Sequence, residues 1–281
     1  MGPRCERARA LCDTEPMPVS VPVPATLAIV CYLFAAALLV RSVARDASSR
    51  LWLLPALAGV VLHAVVHARA WQAAGGTDLH FFAALSLVGL GMAALTTLYG
   101  GSGKMAALGV IVLPIAAATL GGYAAYGHAR AESLDWRLLL HAWCALLAYA
   151  TLGIAALLAL LLWAQERALR RREFRGWLRA LPPLTELESL LFRTIAVGFI
   201  LLTATLLTGV LFVENLFAQH LVHKTVLSVL SWLAFGGLLL GRWRRGWRGA
   251  TAVRWTLVAM ALLLLAFFGS KFVLEVVLKR V

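Results

Sequence analysis

The chain runs to 281 residues, of which 62% are apolar and only 14% charged. That balance lies outside the soluble globular range and reads as an integral membrane protein. The net charge of +13 is concentrated in the turns between apolar runs, so it reads as membrane orientation and not as a nucleic-acid footprint.

In chain order, residues 1–21 form an N-terminal tail carrying Arg4, Arg7 and Arg9, within which Met17 offers an alternative start before a short Pro-rich lead. The apolar run from Ala25 is long for a signal-peptide core and lacks a small-residue cleavage signature, which argues against a secretory signal. Residues 22–281 then read as one transmembrane domain. Apolar runs of about 20 residues, enough to cross a hydrocarbon core, fall at 22–42, 51–70, 80–99, 105–126, 137–163, 190–213, 222–241 and 252–278. Turn residues separate them: Gly75-Gly76, Gly100-Gly101-Ser102-Gly103, Pro182-Pro183 and the Gly, Arg and Trp stretch at 241–249. The expected fold is all-α, a single bundle of eight transmembrane helices in a lipid bilayer.

Basic residues mark the cytoplasmic side of such a bundle. Arg41, Arg45 and Arg50 lie in the 1–2 turn and Lys104 in the 3–4 turn. Arg167, Arg170, Arg171, Arg172, Arg175 and Arg179 fill the 5–6 connector, and Arg242, Arg244, Arg245 and Arg248 the 7–8 connector. These four turns share a side only if there are eight spans, which places both termini on the outer, periplasmic side. The tail arginines argue mildly the other way.

All seven histidines fall toward the opposite side. His63 and His67 are four residues apart on one face of the second span. His80 opens the third span, His128 lies in the 4–5 turn, His141 opens the fifth span, and His220 and His223 lead into the seventh. His80 and His128 read as interfacial imidazoles bonded to loop carbonyls. Polar side chains at membrane depth are costly and face a bundle interior or cavity, which singles out His63, His141 and His223. His141 and Tyr149, eight residues apart, can look into the same seam. Imidazoles suit iron, copper and zinc, and the only carboxylates near the set are Glu214 and Glu275. Two opposed imidazoles on separate spans are the simplest protein answer to haem iron.

The remaining features read more plainly. Cys5, Cys12, Cys31 and Cys144 have no C-x-x-C spacing, which argues against zinc or thiol redox chemistry. Lys271 and Glu275 have the spacing to neutralise one another; alternatively Lys224 and Lys271 hold the carboxylates of an amphiphile such as haem. Residues 165–181 combine arginines with apolar residues in a pattern suited to the headgroup layer, and Trp243 and Trp247 read as interfacial anchors. Thr185 and Glu188 have the spacing of a capping box. Thr203, Thr205, Thr208, Gly209 and Gly236-Gly237 suit close or hydrogen-bonded helix packing. No nucleotide loop, Ser-His-Asp set or H-E-x-x-H is present, so no catalytic constellation is visible.

Several stretches together carry a family resemblance: Leu140-His141 through Tyr149-Ala150, Leu181-Pro182-Pro183-Leu184 with Glu188, His223-Lys224-Thr225-Val226-Leu227-Ser228 with Trp232, Gly246-Trp247-Arg248-Gly249, and Phe268-Gly269-Ser270-Lys271. They resemble the membrane core of the cytochrome c assembly family, which includes the CcsA and CcmC haem-handling proteins, and look closest to its short inner-membrane branch of HemX and YpjD type. The likeness is spread over about residues 135–281 and is weaker before them. It implies a haem-handling protein of the bacterial cytoplasmic membrane, with His141 matching the histidine that serves the haem-delivering members as an outer-face axial ligand. The delivering members carry a Trp-rich outer loop where this chain has Glu214-Asn215-Leu216-Phe217-Ala218-Gln219-His220-Leu221. Two further family histidines have no counterpart, at about Gly241 and in Leu274 to Val281. Haem binding with a role in assembly or regulation therefore fits better than direct delivery to apocytochrome c.

Two expectations follow. In the first, His141 binds haem with an outer-face partner, His223 first, then His220 or His63, and cytochrome c maturation components are partners. In the second, the chain is an accessory or regulatory subunit of a membrane transport system that kept the fold without the cofactor.

Overall fold

The computed structural model describes residues 22–45, 50–100, 106–127, 135–171, 182–212, 219–269 and 271–272. Eight long helices occupy them: α1 (Pro22–Ala44), α2 (Leu53–Ala74), α3 (Phe81–Gly100), α4 (Ala106–Tyr126), α5 (Trp136–Arg170), α6 (Leu184–Phe212), α7 (Gln219–Arg245) and α8 (Gly249–Leu264). The last continues as a π-helical segment, Leu265–Gly269. All eight are long and apolar enough to cross a membrane, so the chain is an all-α, multi-pass membrane protein.

Local chemistry sets several of the boundaries. Gly75 ends α2 at φ 73°, a conformation that favours glycine, and its amide bonds the Trp71 carbonyl. Asp135 starts α5, its carboxylate accepting from the Trp136 amide at 2.8 Å. Gly246 and Gly249, at φ 66° and 53°, turn the chain between α7 and α8.

The helices form two four-membered rings. In the first, α1 packs on α2, α2 on α3, α3 on α4 and α4 back on α1; in the second, α5 to α8 close in the same order, and α3 against α5 is the main seam between the rings. One end of the molecule is basic. There Trp52 fills the space over Gly100 and Leu39 that over Gly109, while Gln165 on α5 donates to the Pro182 carbonyl at 3.1 Å. At the other end gather the close of α2, the openings of α3 and α5, and the tail of α8, with Trp71 on Trp143 and Phe81 on Phe268. His63, His67, His80 and His141 lie in this half of the molecule.

The eight apolar runs correspond to the eight helices, with one systematic difference. α5 has 35 residues and α6 has 29, both reaching further toward the basic end than 137–163 and 190–213. At 1.5 Å per residue α5 is about 50 Å long, against a hydrocarbon core of about 30 Å. The additional turns carry Gln165, Glu166, Arg167, Glu186 and Glu188, which a hydropathy reading leaves out.

Glu188 also departs from its expected role. α6 already begins at Leu184, so Thr185 is inside the helix and the pair makes no capping box. The Glu188 carboxylate, 6% exposed, instead accepts from Arg242 at 3.0 Å and Arg248 at 3.0 Å. It ties α6 to the far end of α7 and to the α7–α8 turn, and holds the Arg248 guanidinium above its ordinary pKa. Trp243 is exposed, as an anchor requires, whereas Trp247 folds back over Gly241 and against Trp255. Glu275, His128, Lys104, the 172–181 stretch and the N-terminal tail lie outside the described residues.

Candidate functional site

A cavity of about 250 Å³ lies within the second ring, between α5, α6, α7 and α8, in the histidine half. Its polar lining comes from His141 and Tyr149 on α5, Thr205 on α6, and Lys224, Thr225 and Ser228 on α7. Val210 on α6 and Val229 on α7 also line it and are exposed on the outside of the bundle, so the cavity opens sideways toward the lipid-facing surface.

His141 is placed by α6. Its Nδ1 lies 3.1 Å from Thr208 Oγ1. The single hydroxyl hydrogen of Thr208 goes to its own helix, to the carbonyl of Ala204 at 2.8 Å or Thr205 at 3.0 Å. With the hydrogen so placed, the oxygen accepts from the imidazole, an assignment that puts the proton on Nδ1 and the lone pair on Nε2. The Thr205 carbonyl is a second acceptor for the same ring. Gly209 supplies the room: a Cβ there would stand 3.2 Å from His141 Cε1.

Tyr149 holds the opposite wall. Its hydroxyl donates to the Leu263 carbonyl at 2.5 Å and interacts with the Phe267 backbone amide. In an α-helix those two groups would bond each other. The tyrosine hydroxyl is inserted between them, and α8 turns π-helical at Leu265.

The remaining predicted residues are dispersed. Lys224 lines the cavity with His141. His223, its neighbour in sequence, is exposed and is not among the lining residues. His220 lies in the first turn of α7, and its side chain is outside the described residues. Lys271 bonds the Leu79 carbonyl and lies over the ring of Phe267, a cavity-lining residue, but is not itself among the lining residues. His63 belongs to the other ring, fully buried, with Nε2 at 2.8 Å from Ser86 Oγ and Nδ1 at 3.3 Å from the Tyr32 hydroxyl.

Sequence reasoning passed over the surroundings of His63. Ser86 on α3 also meets His67 Nε2 at 3.0 Å, so one hydroxyl joins the two imidazoles. His67 stacks on Tyr123, with centroids 4.6 Å apart. Asp78, in the α2–α3 turn and 2% exposed, bonds His80 Nδ1 at 2.6 Å. The readable signal was an acidic residue beside apolar spans that already carried histidines.

Among the described residues, no group of three or more histidine, cysteine, aspartate or glutamate side chains could hold a metal ion. The cavity instead offers one imidazole, one ammonium group and apolar walls. That donor set fits an amphiphile with a metal acceptor and anionic groups, and haem has this chemistry.

The family model described as Cytochrome C assembly protein matches residues 51–278. The chain is 31% identical to Inner membrane protein YpjD of Escherichia coli strain K12, over 92% of this chain and all of that one. It is 29% identical to Cytochrome c biogenesis protein CcsA of Prochlorococcus marinus, over 31% of this chain and 28% of that one. It is 26% identical to Protein HemX of Brevibacillus brevis, over 47% and 49% of the two chains. No solved structure is significantly similar to it.

Proposed function

Because this chain belongs to the cytochrome c assembly protein family, we propose that it is a haem-handling protein of the bacterial cytoplasmic membrane, binding haem in the α5–α8 cavity through His141. The observation that carries this reading is the contact of His141 Nδ1 with Thr208, which occupies one nitrogen and leaves Nε2 as the available ligand of a ring that lines the cavity. Haem would supply an iron acceptor for nitrogen ligands and two carboxylates. Lys224 is suited to pair with a carboxylate, the valine-lined opening admits an amphiphile from the bilayer, and the apolar walls exclude water from the ring. A second imidazole comes from the start of α7, from His223 or His220. The histidine end faces the periplasm and the basic end the cytoplasm, by the distribution of arginine, which puts both termini outside.

The test is a visible absorption titration of haem-free, detergent-purified protein with added haem, oxidised and reduced. Wild type is expected to give low-spin bands, His141→Ala to lose them, and one of His223→Ala and His220→Ala to lose the sixth ligand. Uptake indistinguishable among all four proteins, or absent from all, would overturn the reading and favour the transport-subunit alternative. A C-terminal alkaline phosphatase fusion is expected to be active; an inactive, stably expressed fusion would reverse the orientation.

A further inference from the structure

The first ring contains polar groups that the haem reading does not use. Ser86 Oγ is within hydrogen-bond distance of both His63 Nε2 and His67 Nε2, at 2.8 and 3.0 Å. A hydroxyl has one hydrogen, so it donates to one imidazole and accepts from the other. Two arrangements satisfy this. In one, the Tyr32 hydroxyl donates to His63 Nδ1, His63 Nε2–H to Ser86, and Ser86 to His67 Nε2. In the other, every bond is reversed: His67 Nε2–H donates to Ser86, Ser86 to His63 Nε2, and His63 Nδ1–H to the Tyr32 oxygen. The chain Tyr32–His63–Ser86–His67 can therefore point either way.

It lies between an apolar cluster on one side and a group of buried polar atoms on the other. Toward the basic end lie Ala35, Leu39, Trp52, Ala56, Ala93 and Leu113, buried in one apolar cluster, and Thr96, fully buried near Gly109 as Leu39 is, with its Oγ1 without a hydrogen-bond partner among the described residues. Toward the histidine end, His67 Nδ1, Trp71 Nε1 and Asp78 Oδ2 are buried and have no hydrogen-bond partner among the described residues. Each such atom costs about 1–3 kcal/mol when left unsatisfied, and buried groups of this kind are usually bridged by water. Among the described residues, the ionisable and charged groups around the chain are Cys31 and Tyr32 on α1, His63 and His67 on α2, Asp78 and His80 in the α2–α3 turn, Tyr123 on α4, and Lys271 beyond α8 on the Leu79 carbonyl. Asp78 is near enough to act electrostatically on both His67 and Tyr123.

We infer that the α1–α4 ring holds a proton relay, which takes a proton from the histidine face past Asp78 to His67 and passes it through Ser86 to His63. In the transfer, the entering proton binds His67 Nδ1 and the Nε2 proton of that ring moves to Ser86 Oγ. The original hydroxyl proton of Ser86 moves to His63 Nε2. Three N–H or O–H bonds form for two that break, and the net gain is the one proton taken from bulk water.

The experiment is imidazole N–H exchange into D₂O, followed by NMR on full-length, ¹⁵N-histidine-labelled protein in lipid nanodiscs without haem. In wild type both rings are expected to exchange. Ser86→Ala is expected to slow exchange at His63 by about a hundredfold, the lower range for a positioned proton donor, while leaving His67 unchanged. Ser86→Thr, which keeps the hydroxyl, is expected to restore it and guards against a folding defect. Asp78→Asn should slow both rings, and His141→Ala neither. Protection of both rings in wild type, or unchanged His63 exchange in Ser86→Ala, would overturn the relay and leave a packing network.

Discussion

Thr208→Val isolates the orientation of His141 from its presence. Valine keeps the branched shape of threonine and removes only the hydroxyl that accepts the Nδ1 proton at 3.1 Å. Partners of this kind typically contribute 10–100-fold to metal affinity by fixing ring orientation and basicity. The Thr205 carbonyl remains beside the same nitrogen, so the expected loss lies at the low end, about tenfold in haem affinity or ~1.4 kcal/mol. That agrees with the ~0.5–1.5 kcal/mol net worth of one neutral hydrogen bond. Haem titration followed by the Soret band reads the effect, with Thr208→Ser expected to return the affinity to near wild type. Wild-type affinity in Thr208→Val, alongside lost binding in His141→Ala, would refute the reasoning, because the ring would then be oriented by something else.

Further outcomes are expected elsewhere. Lys224→Met should weaken haem about tenfold without changing the axial bands, as the loss of one charge-assisted contact implies; a changed ligand-field spectrum would contradict its role as a carboxylate partner. Glu188→Gln should lower stability by about 1–2 kcal/mol, since a buried acceptor of two guanidiniums is weakened while both arginines keep access to solvent; an unchanged thermal midpoint in detergent would show the clamp to be inert. Gly241→Ala places a Cβ 2.4 Å from the Trp247 ring, so overpacking of about 1–3 kcal/mol should lower the same midpoint and shift tryptophan emission. An alanine variant as stable as wild type would mean that Trp247 is not held against α7.

The number of spans was legible because hydropathy reports contact with hydrocarbon, and each helix supplies one apolar run. The overhang of α5 and α6 was not, since turns outside the hydrocarbon carry Gln165, Glu166 and Glu188 and look like connector. His141 and Tyr149 were readable as members of one seam from helical spacing, whereas Lys224 was read only as a carboxylate holder beside Lys271, and the fold brings Lys224 alone of these two lysines to the cavity lining. His223 was not readable in the same way, because neighbouring residues on a helix point about 100° apart and sequence alone does not show which of 223 and 224 faces inward. The Ser86 bridge was hidden for a different reason. A lone serine in an apolar span resembles a packing residue until the partner helix brings two imidazoles to it. Asp78 was similarly lost among turn residues, and only the fold buries it.

The insertion of the Tyr149 hydroxyl into the backbone of α8 sets an angular phase. A π-helical segment accommodates one extra residue, so everything after it is rotated by about 100° relative to a continuous α-helix. Phe268, inside that segment, meets Phe81, and Lys271, beyond it, bonds the Leu79 carbonyl. A phenol on the fifth helix thus acts as an indexing pin for the end of the eighth. Through that end it bears on how the α5–α8 ring meets the turn carrying Asp78 and His80.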